Sequence, residues 1–132
     1  TKAVRRLVDD FSASTGIQAV YVHHDPVSPV PTDLATCVYR IAPESLNNVA
    51  RHARASEVEV ELICDEGRVT LSIRDNGVGF DPLQVSQMRG RLGVLSMKER
   101  VRLVRGTLDV TTAPGRGTHI EVDVPLAGNA HV

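Results

Sequence analysis

Two stretches in which polar and apolar residues alternate, near the middle of this 132-residue chain, constrain its fold more than any other feature. In the stretch from Glu57 to Cys64, three glutamates alternate with Val58, Val60 and Leu62, and an alternation resumes from Arg68 to Arg74. A period of two places apolar side chains on one face of a β-strand and polar side chains on the other. Asp65, Glu66 and Gly67 separate the stretches and are typical of a turn. The pattern predicts an antiparallel hairpin with one buried face.

Asp75 continues the apolar face of the second predicted strand, one step beyond Ile73. A carboxylate turned towards a core needs a polar partner, because burying an unpaired charge is costly. It could accept an exocyclic amine, and Gly77 and Gly79 permit positive φ or close backbone approach. The alternative is a plain hairpin turn at Asn76-Gly77. No alternating strand follows that dipeptide, which weighs against the alternative.

Apolar residues at helical spacing predict three helices, and shorter alternations predict three more strands. The first helix runs from Lys2 to Ser14, a long one from Thr32 to about Arg54, and a third from Val94 to near Gly106. The further strands are Ile17 to Val22, Thr107 to Thr112 and His119 to Val124.

Two details of the long helix are predicted from its residue types. Thr32 is a good N-cap. Pro43 removes one backbone hydrogen bond within the helix, so a kink or a break is expected there.

The element order α-β-α-β-β-α-β-β predicts a two-layer α/β sandwich, with a mostly antiparallel mixed sheet and helices on one face. The length suits one domain over residues 1–132, in which 1–15 form a linker helix and 125–132 a tail.

Four residues of the long helix share a polar face if the helix is regular. Glu44, Asn48, Arg51 and His52 fall at i, i+4, i+7 and i+8. An amide oxygen can ligate Mg²⁺, and a cation and an imidazole can meet phosphate oxygens. The glutamate could orient or deprotonate an attacking group. An ordinary solvated helix face is the alternative for this set taken alone.

Two glycine pairs flank later elements. Gly90 and Gly93 precede the third helix, where backbone amides and the helix dipole favour phosphate. Gly115 and Gly117 precede the hydroxyl of Thr118 at the start of the last strand, and a plain hairpin loop is the alternative there.

Composition excludes several classes of partner. The formal net charge of -1 and the aromatic content of 3%, without tryptophan, give no basis for binding nucleic acid. No apolar run approaches the ~20 residues that span a bilayer. Cys37 and Cys64 lack metal-ligand spacing and are expected as small buried side chains in a reducing compartment.

The four constellations, in their order along the chain, resemble the N, G1, G2 and final G boxes of the GHKL ATPase superfamily. The segments Tyr39 to Asn48 and Leu92 to Arg100 are similar to those of NarX/DesK-like sensor histidine kinases. The resemblance implies a Bergerat-type fold that binds ATP and Mg²⁺. Two departures are Pro43, where relatives often have glutamine, and a sparse glycine loop.

The resemblance also implies roles. Asn48 would ligate Mg²⁺ and Glu44 would be the acid/base that aids phosphoryl transfer. Asp75 would accept the adenine amine, and the segment between Gly79 and Gly90 would be an ATP lid. The other residues implied at the nucleotide are Arg51 and His52 near phosphates, Gly77 and Gly79 at the adenine, Gly90 and Gly93 in the lid, and Thr118 at the adenine end.

The phosphate acceptor implied by the resemblance is a histidine outside this chain. His24-Asp25 fits an acceptor dipeptide superficially, but the prolines nearby predict a loop rather than a long helix. The expected partner is therefore a histidine-bearing dimerisation domain of the same parent protein, with indirect relay to a response regulator.

The parent is expected to be a cytoplasmic homodimer, or a membrane-bound sensor with this part in the cytoplasm, and the fragment a monomer. Alternatives are a serine kinase or ATPase of the same superfamily, and a non-catalytic module that binds nucleotide or partners.

Overall fold

A computed structural model describes residues 2–24, 30–65, 67–79 and 94–125, with residues 52, 53, 94 and 95 described by backbone alone. Its elements in chain order are α1 (Lys2–Thr15), β1 (Gln18–His24), α2 (Thr32–Asn48), a π-helical turn (Val49–Ala53), β2 (Glu57–Asp65), β3 (Arg68–Asp75), α3 (Val94–Leu103), β4 (Thr107–Thr112) and β5 (Thr118–Pro125). Within the described residues, the predicted order of elements is confirmed.

The strands form one five-stranded sheet in the order β1-β2-β3-β5-β4. β1 pairs with β2 in parallel, and every other neighbouring pair is antiparallel. The predicted hairpin is β2–β3, whose register runs from Asp65 opposite Arg68 to Val58 opposite Asp75. The fold prediction of a mixed, mostly antiparallel sheet with helices is therefore confirmed.

The helices cover the apolar face of the sheet. Val60 on β2 and Leu71 on β3 are almost completely buried there, as are Ile41 and Leu46 on α2. The opposite face is polar on β2, as predicted, where Glu57 and Glu59 are exposed, but on β1 it also exposes Val20 and Val22. Arg68 and Asp123 form an ion pair of 2.9 Å between β3 and β5. Because the ends of strands and helices meet at the rim of these two layers, the loops there can build a site.

The predicted N-cap of α2 is wrong by one residue. Pro31 occupies the cap position with an extended ψ of 144°, and no side chain makes a capping hydrogen bond. Thr32 is instead the first helical residue. The proline ring fixes φ without needing a hydrogen-bonded N–H, which suits the entrance to a helix.

Pro43 does not break α2, so the break that was one of the two predicted outcomes is wrong. Ile41, Ala42 and Leu46 are buried around it, and their packing holds the helix together. The helix changes character only after Asn48, where the π-helical turn begins, and Arg54 ends it in a left-handed conformation with φ of 51°. The helical segment therefore ends where the sequence predicted.

Several smaller predictions from the sequence can also be compared with the structure. His24 is the exposed last residue of β1 and not part of a loop, although it still does not lie on a helix. Cys37 is buried, and Cys64 is partly buried. The predicted tail after Pro125 and the predicted lid from residue 80 onwards lie outside the described residues. Within the described ranges, no helix has the length and apolarity that a membrane crossing requires.

Candidate functional site

Asp75 lies at the end of β3 with its side chain facing the core, as the strand phase predicted. The residue is only 7% exposed, and its Oδ1 accepts a hydrogen bond of 2.8 Å from the backbone N–H of Gly77. Burial raises the pKa of this carboxyl, while hydrogen bonds from the backbone amides of Gly77 and Thr118 act in the opposite direction. The strands thus present a buried carboxylate that protein amides orient.

The loop after Asp75 is pressed against the loop between β4 and β5. Gly79 has φ of 69°, and a Cβ there would overlap the carbonyl oxygen of Ala113. Gly117 has φ of 73°, and a Cβ there would overlap the carbonyl oxygen of Asp75. These glycines are required because two backbones meet with no room for a side chain. β3 pairs with β2 on one edge and with β5 on the other, so Asn76-Gly77 is not the turn of a hairpin made by β3 and a strand directly after it.

Thr118 begins β5 beside Asp75. Its backbone amide hydrogen-bonds the Asp75 carboxyl, and its Oγ1 lies 3.0 Å from Thr112 Oγ1. The structure therefore brings four of the predicted residues together at one end of the sheet: Asp75, Gly77, Gly79 and Thr118. We call this set, with the loops that carry it, the carboxylate end.

Glu44 and Asn48 lie on successive turns of α2, and both are partly buried. Glu44 lines a cleft of about 520 Å³ between α2 and α3. Two arginines, Arg40 and Arg100, line the same cleft. We call Glu44, Asn48 and this cleft the helical end.

One contact between α2 and α3 lies beside this cleft. Ser45 is fully buried, and its hydroxyl donates to the sulfur of Met97 over 3.5 Å. The helical end is thus a groove between two helices with both signs of charge on its walls.

The family model described as "Histidine kinase-, DNA gyrase B-, and HSP90-like ATPase" matches residues 34–128 of this chain. The chain belongs to this ATPase family. The matched segment runs from the first turn of α2 to just beyond β5, so it takes in both ends of the candidate site.

Curated relatives of this ATPase-family domain are sensor kinases. The chain is 33% identical over 123 residues to the signal transduction histidine-protein kinase/phosphatase DegS of Brevibacillus brevis, covering 93% of this chain and 31% of the relative. It is 37% identical over 128 residues to the sensor histidine kinase YdfH of Bacillus subtilis (strain 168), covering 95% of this chain and 31% of the relative. The chain thus spans about a third of the length of these relatives.

A solved structure has the same fold. The blue-light activated histidine kinase of Erythrobacter litoralis EL346 superimposes with a TM-score of 0.80 at 23% sequence identity. The match covers 98% of this chain and 42% of that one. At that identity the likeness concerns the arrangement of helices and strands in the ATPase-family domain.

The π-helical turn alters the prediction for the polar face of α2. The angular spacing that placed Arg51 and His52 in line with Glu44 and Asn48 assumes a regular α-helix, but the i→i+5 pattern begins at Val49. Arg51 is exposed. The side chain of His52 lies outside the described part of the chain, as do Gly90 and Gly93, so their predicted places at phosphates stay predictions.

Sequence reasoning missed one residue at the carboxylate end. Asn76 Oδ1 accepts hydrogen bonds of 3.0 Å from the backbone amides of both Ser56 and Glu57, and its Nδ2 donates to Ser56 Oγ over 2.9 Å. The signal was available. Extending the predicted β2–β3 hairpin one step beyond Val58 and Asp75 brings Glu57 opposite Asn76.

A larger cavity of about 720 Å³ lies elsewhere, and none of the predicted site residues that the structure describes lines it. It opens between the first turns of α1 and α2 and the turn end of β2–β3, with mainly apolar walls that include Val4, Val38 and Leu62. The smaller cleft differs from this cavity in that a carboxylate, Glu44, and two cations, Arg40 and Arg100, line it.

Proposed function

We propose that this chain is the ATP-binding catalytic domain of a two-component sensor histidine kinase of the NarX/DesK-like type. It transfers the γ-phosphoryl group of ATP to a histidine on a separate dimerisation domain of the same parent, for relay to a response regulator. The observation that carries the proposal is the buried, amide-oriented carboxylate of Asp75 inside a pair of interlocked glycine loops. The parent acts in the cytoplasm, either as a cytoplasmic homodimer or through the cytoplasmic part of a membrane-bound sensor, because ATP and the regulator are available there.

The carboxylate end fits an adenine ring. A carboxylate offers about four lone-pair sites, so the hydrogen bonds from the backbone amides of Gly77 and Thr118 leave room for one more donor. The exocyclic amine of adenine is such a donor, and guanine carries a carbonyl oxygen at that position. Gly77 and Gly79 keep side chains away from the ring, while Thr118 supports the same end. Asp75 therefore distinguishes adenine from guanine by accepting a hydrogen bond that adenine supplies at this position and guanine does not.

The helical end fits a magnesium ion held largely by the nucleotide. Mg²⁺ prefers oxygen ligands, keeps several waters and is usually bound through one or two protein groups plus substrate phosphates. In the described part of the chain, no group of three or more His, Cys, Asp or Glu is arranged to hold a metal. Asn48 would supply the protein oxygen, and the ion would offset charge on the phosphates. Arg51, His52, Gly90 and Gly93 are proposed to contact those phosphates.

Glu44 faces the cleft through which an acceptor helix can approach. A histidine nitrogen that attacks the γ-phosphorus must be unprotonated, and a positioned carboxylate can orient the ring or take its proton. Glu44 is partly buried on the wall of that cleft, so it can act on a side chain entering from outside. The bond from phosphorus to the bridging oxygen then breaks, and ADP leaves.

The test is phosphotransfer in trans, from radiolabelled ATP through this chain to the purified dimerisation domain of the parent. Glu44→Gln is expected to slow transfer by about 10² to 10⁴-fold, as for the loss of a general base, with little change in ATP affinity. Glu59→Gln on the exposed face of β2 is the matched control and should transfer at the wild-type rate.

Two results would contradict the proposal. ATP hydrolysis without labelled histidine would favour an ATPase or a serine kinase of the same superfamily. A folded chain without any ATP affinity would favour the non-catalytic partner-binding module.

A further inference from the structure

The side chain of Asn76 ties the loop that follows β3 to the chain that precedes β2. Its Oδ1 accepts from two successive backbone amides, those of Ser56 and Glu57, at 3.0 Å each. Its Nδ2 donates to Ser56 Oγ over 2.9 Å, and its backbone N–H donates to the carbonyl oxygen of Glu57 over 3.2 Å. We call these four hydrogen bonds the Asn76 clamp.

The residues that Asn76 binds are themselves held by the first two strands of the sheet. The carbonyl oxygen of Ser56 accepts from the backbone N–H of Gln18 at the start of β1, over 3.0 Å. Glu57 opens β2, the neighbour of β1 in the sheet. Asn76 is therefore held against the starts of β1 and β2, two strands that do not carry Asp75.

The clamp acts at the position where the sheet would otherwise fray. The β2–β3 ladder ends at Val58 opposite Asp75, so Asp75 is the last paired residue of β3. Strand ends open easily unless something holds them. Asn76 holds the backbone on one side of Asp75, while the Gly77 amide holds its carboxylate and Gly117 packs on its carbonyl oxygen. The direction of the carboxylate is thereby fixed from three sides.

We propose that Asn76 is a positioning residue that fixes Asp75 and so sets the selectivity of the site for adenine over other bases. Asn76 does not contact the nucleotide; it acts through Asp75. This inference rests on the proposed function, because it takes Asp75 as the acceptor of the adenine amine. It adds a residue whose effect is on base discrimination.

The clamp makes a specific demand on the residue at position 76. The side chain must present one oxygen to two amides and a second polar atom to a hydroxyl. Aspartate meets this demand, because its second oxygen can accept from Ser56 Oγ, whose hydroxyl hydrogen rotates freely. Alanine meets none of it. Asn76→Asp should therefore behave like wild type, and Asn76→Ala should not.

The test compares the binding of ATP with that of inosine triphosphate, which lacks the exocyclic amine, by calorimetry on the 132-residue chain. Wild type is expected to prefer ATP. Asn76→Ala should weaken ATP binding by about tenfold while changing inosine triphosphate binding little, so that the ratio of the two affinities falls about tenfold. Asn76→Asp should restore the wild-type ratio.

A purely structural role would leave a different signature. Ser12→Ala is the matched control, because it removes a hydrogen bond of similar length. That bond runs from Ser12 Oγ to the carbonyl oxygen of Ile17 over 2.8 Å and ties α1 to the residue before β1. This variant should leave the ratio unchanged. If Asn76→Ala does not fold, Asn76→Ser keeps an oxygen on a shorter side chain and serves in its place.

The outcomes separate this inference from the proposed function. A wild-type chain that binds neither nucleotide, or both equally, overturns the proposed role of Asp75 itself. A wild-type chain that prefers ATP, together with an Asn76→Ala or Asn76→Ser variant that keeps the same preference, overturns only the positioning role. Equal weakening of both nucleotides by the variant also overturns it.

Discussion

The carboxylate end and the helical end of the site are built in opposite ways. At the carboxylate end, Asp75 is buried and accepts a hydrogen bond from a backbone amide. The two loops there meet backbone against backbone at Gly79 and Gly117. At the helical end, Glu44 lines an open cleft of about 520 Å³. The contact between α2 and α3 there includes a weak hydrogen bond from Ser45 to a sulfur atom.

This difference matches the two tasks of the proposed function. A base of fixed shape is recognised best by a preformed pocket, because no ordering has to accompany binding. Phosphoryl transfer instead needs access for an acceptor that comes from another domain, and such sites often complete themselves only when a segment closes. The carboxylate end should therefore be intolerant of small changes, whereas the helical end should tolerate changes that do not touch its reactive groups.

The largest effect should come from the interlocked glycines. Gly117→Ala forces an alanine into positive φ and drives its Cβ into the carbonyl oxygen of Asp75. We expect the free energy of unfolding to fall by about 2 to 4 kcal/mol, from backbone strain and overlap together. Urea denaturation measures it.

The same loop offers the control. Gly115 has φ of 78° but nothing within 4 Å of its Cβ position, so Gly115→Ala carries the strain without the overlap and should cost about 1 kcal/mol. Equal losses at Gly115 and Gly117 would break the comparison, since close packing would then contribute nothing at the carboxylate end.

The next effect is a pH dependence at Asp75. Burial raises its pKa in the folded chain, so the folded state binds a proton more readily than the unfolded state. Relative to Asp75→Asn, which does not titrate, wild type should gain stability as pH falls through the folded pKa. The gain is complete below the ordinary aspartate pKa of about 3.9. It amounts to about 1.4 kcal/mol for each pH unit by which the folded pKa exceeds that ordinary value.

The measurement is the difference in unfolding free energy between the two proteins from neutral pH downwards. If wild type instead loses stability relative to Asp75→Asn as pH falls, the hydrogen bonds from backbone amides outweigh burial and stabilise the charged carboxylate. Asp109→Asn, at an exposed position on β4, is the control for the substitution itself.

The smallest effect should come from the helical end. Ser45→Ala removes the bond to Met97, but sulfur is a weak acceptor and alanine favours a helix. The unfolding free energy should change by no more than about 0.5 kcal/mol. A loss above about 2 kcal/mol would show that the helical end is as tightly built as the carboxylate end.

Much of the carboxylate end could be predicted because strand alternation is a local signal. The phase of Val69, Leu71 and Ile73 placed Asp75 on the buried face before any partner was known, and its burial confirms that. The glycine positions were also recognised. What alternation cannot supply is which loops meet: the packing of Gly79 on Ala113 depends on β5 lying beside β3, a long-range pairing.

The helical end was less predictable because the number of residues per turn can change within one helix. Nothing in the sequence from Val49 to Ala53 distinguishes a π-helical turn from an α-helical one, so the predicted alignment of Arg51 with Asn48 relied on an unbroken α period. At Pro43 the opposite happened, since buried neighbours overrode a local signal for a break.

The most direct test of the account is calorimetric titration of ATP into this chain with and without Mg²⁺, for wild type, Asp75→Asn, Asn48→Ala and the control Asp109→Asn. Wild type and Asp109→Asn should bind ATP more tightly with Mg²⁺. Asp75→Asn should lose at least about a hundredfold in affinity under both conditions, and Asn48→Ala should lose mainly the magnesium dependence. A folded wild-type chain that binds no ATP, or an Asp75→Asn variant that binds it as wild type does, would contradict the account.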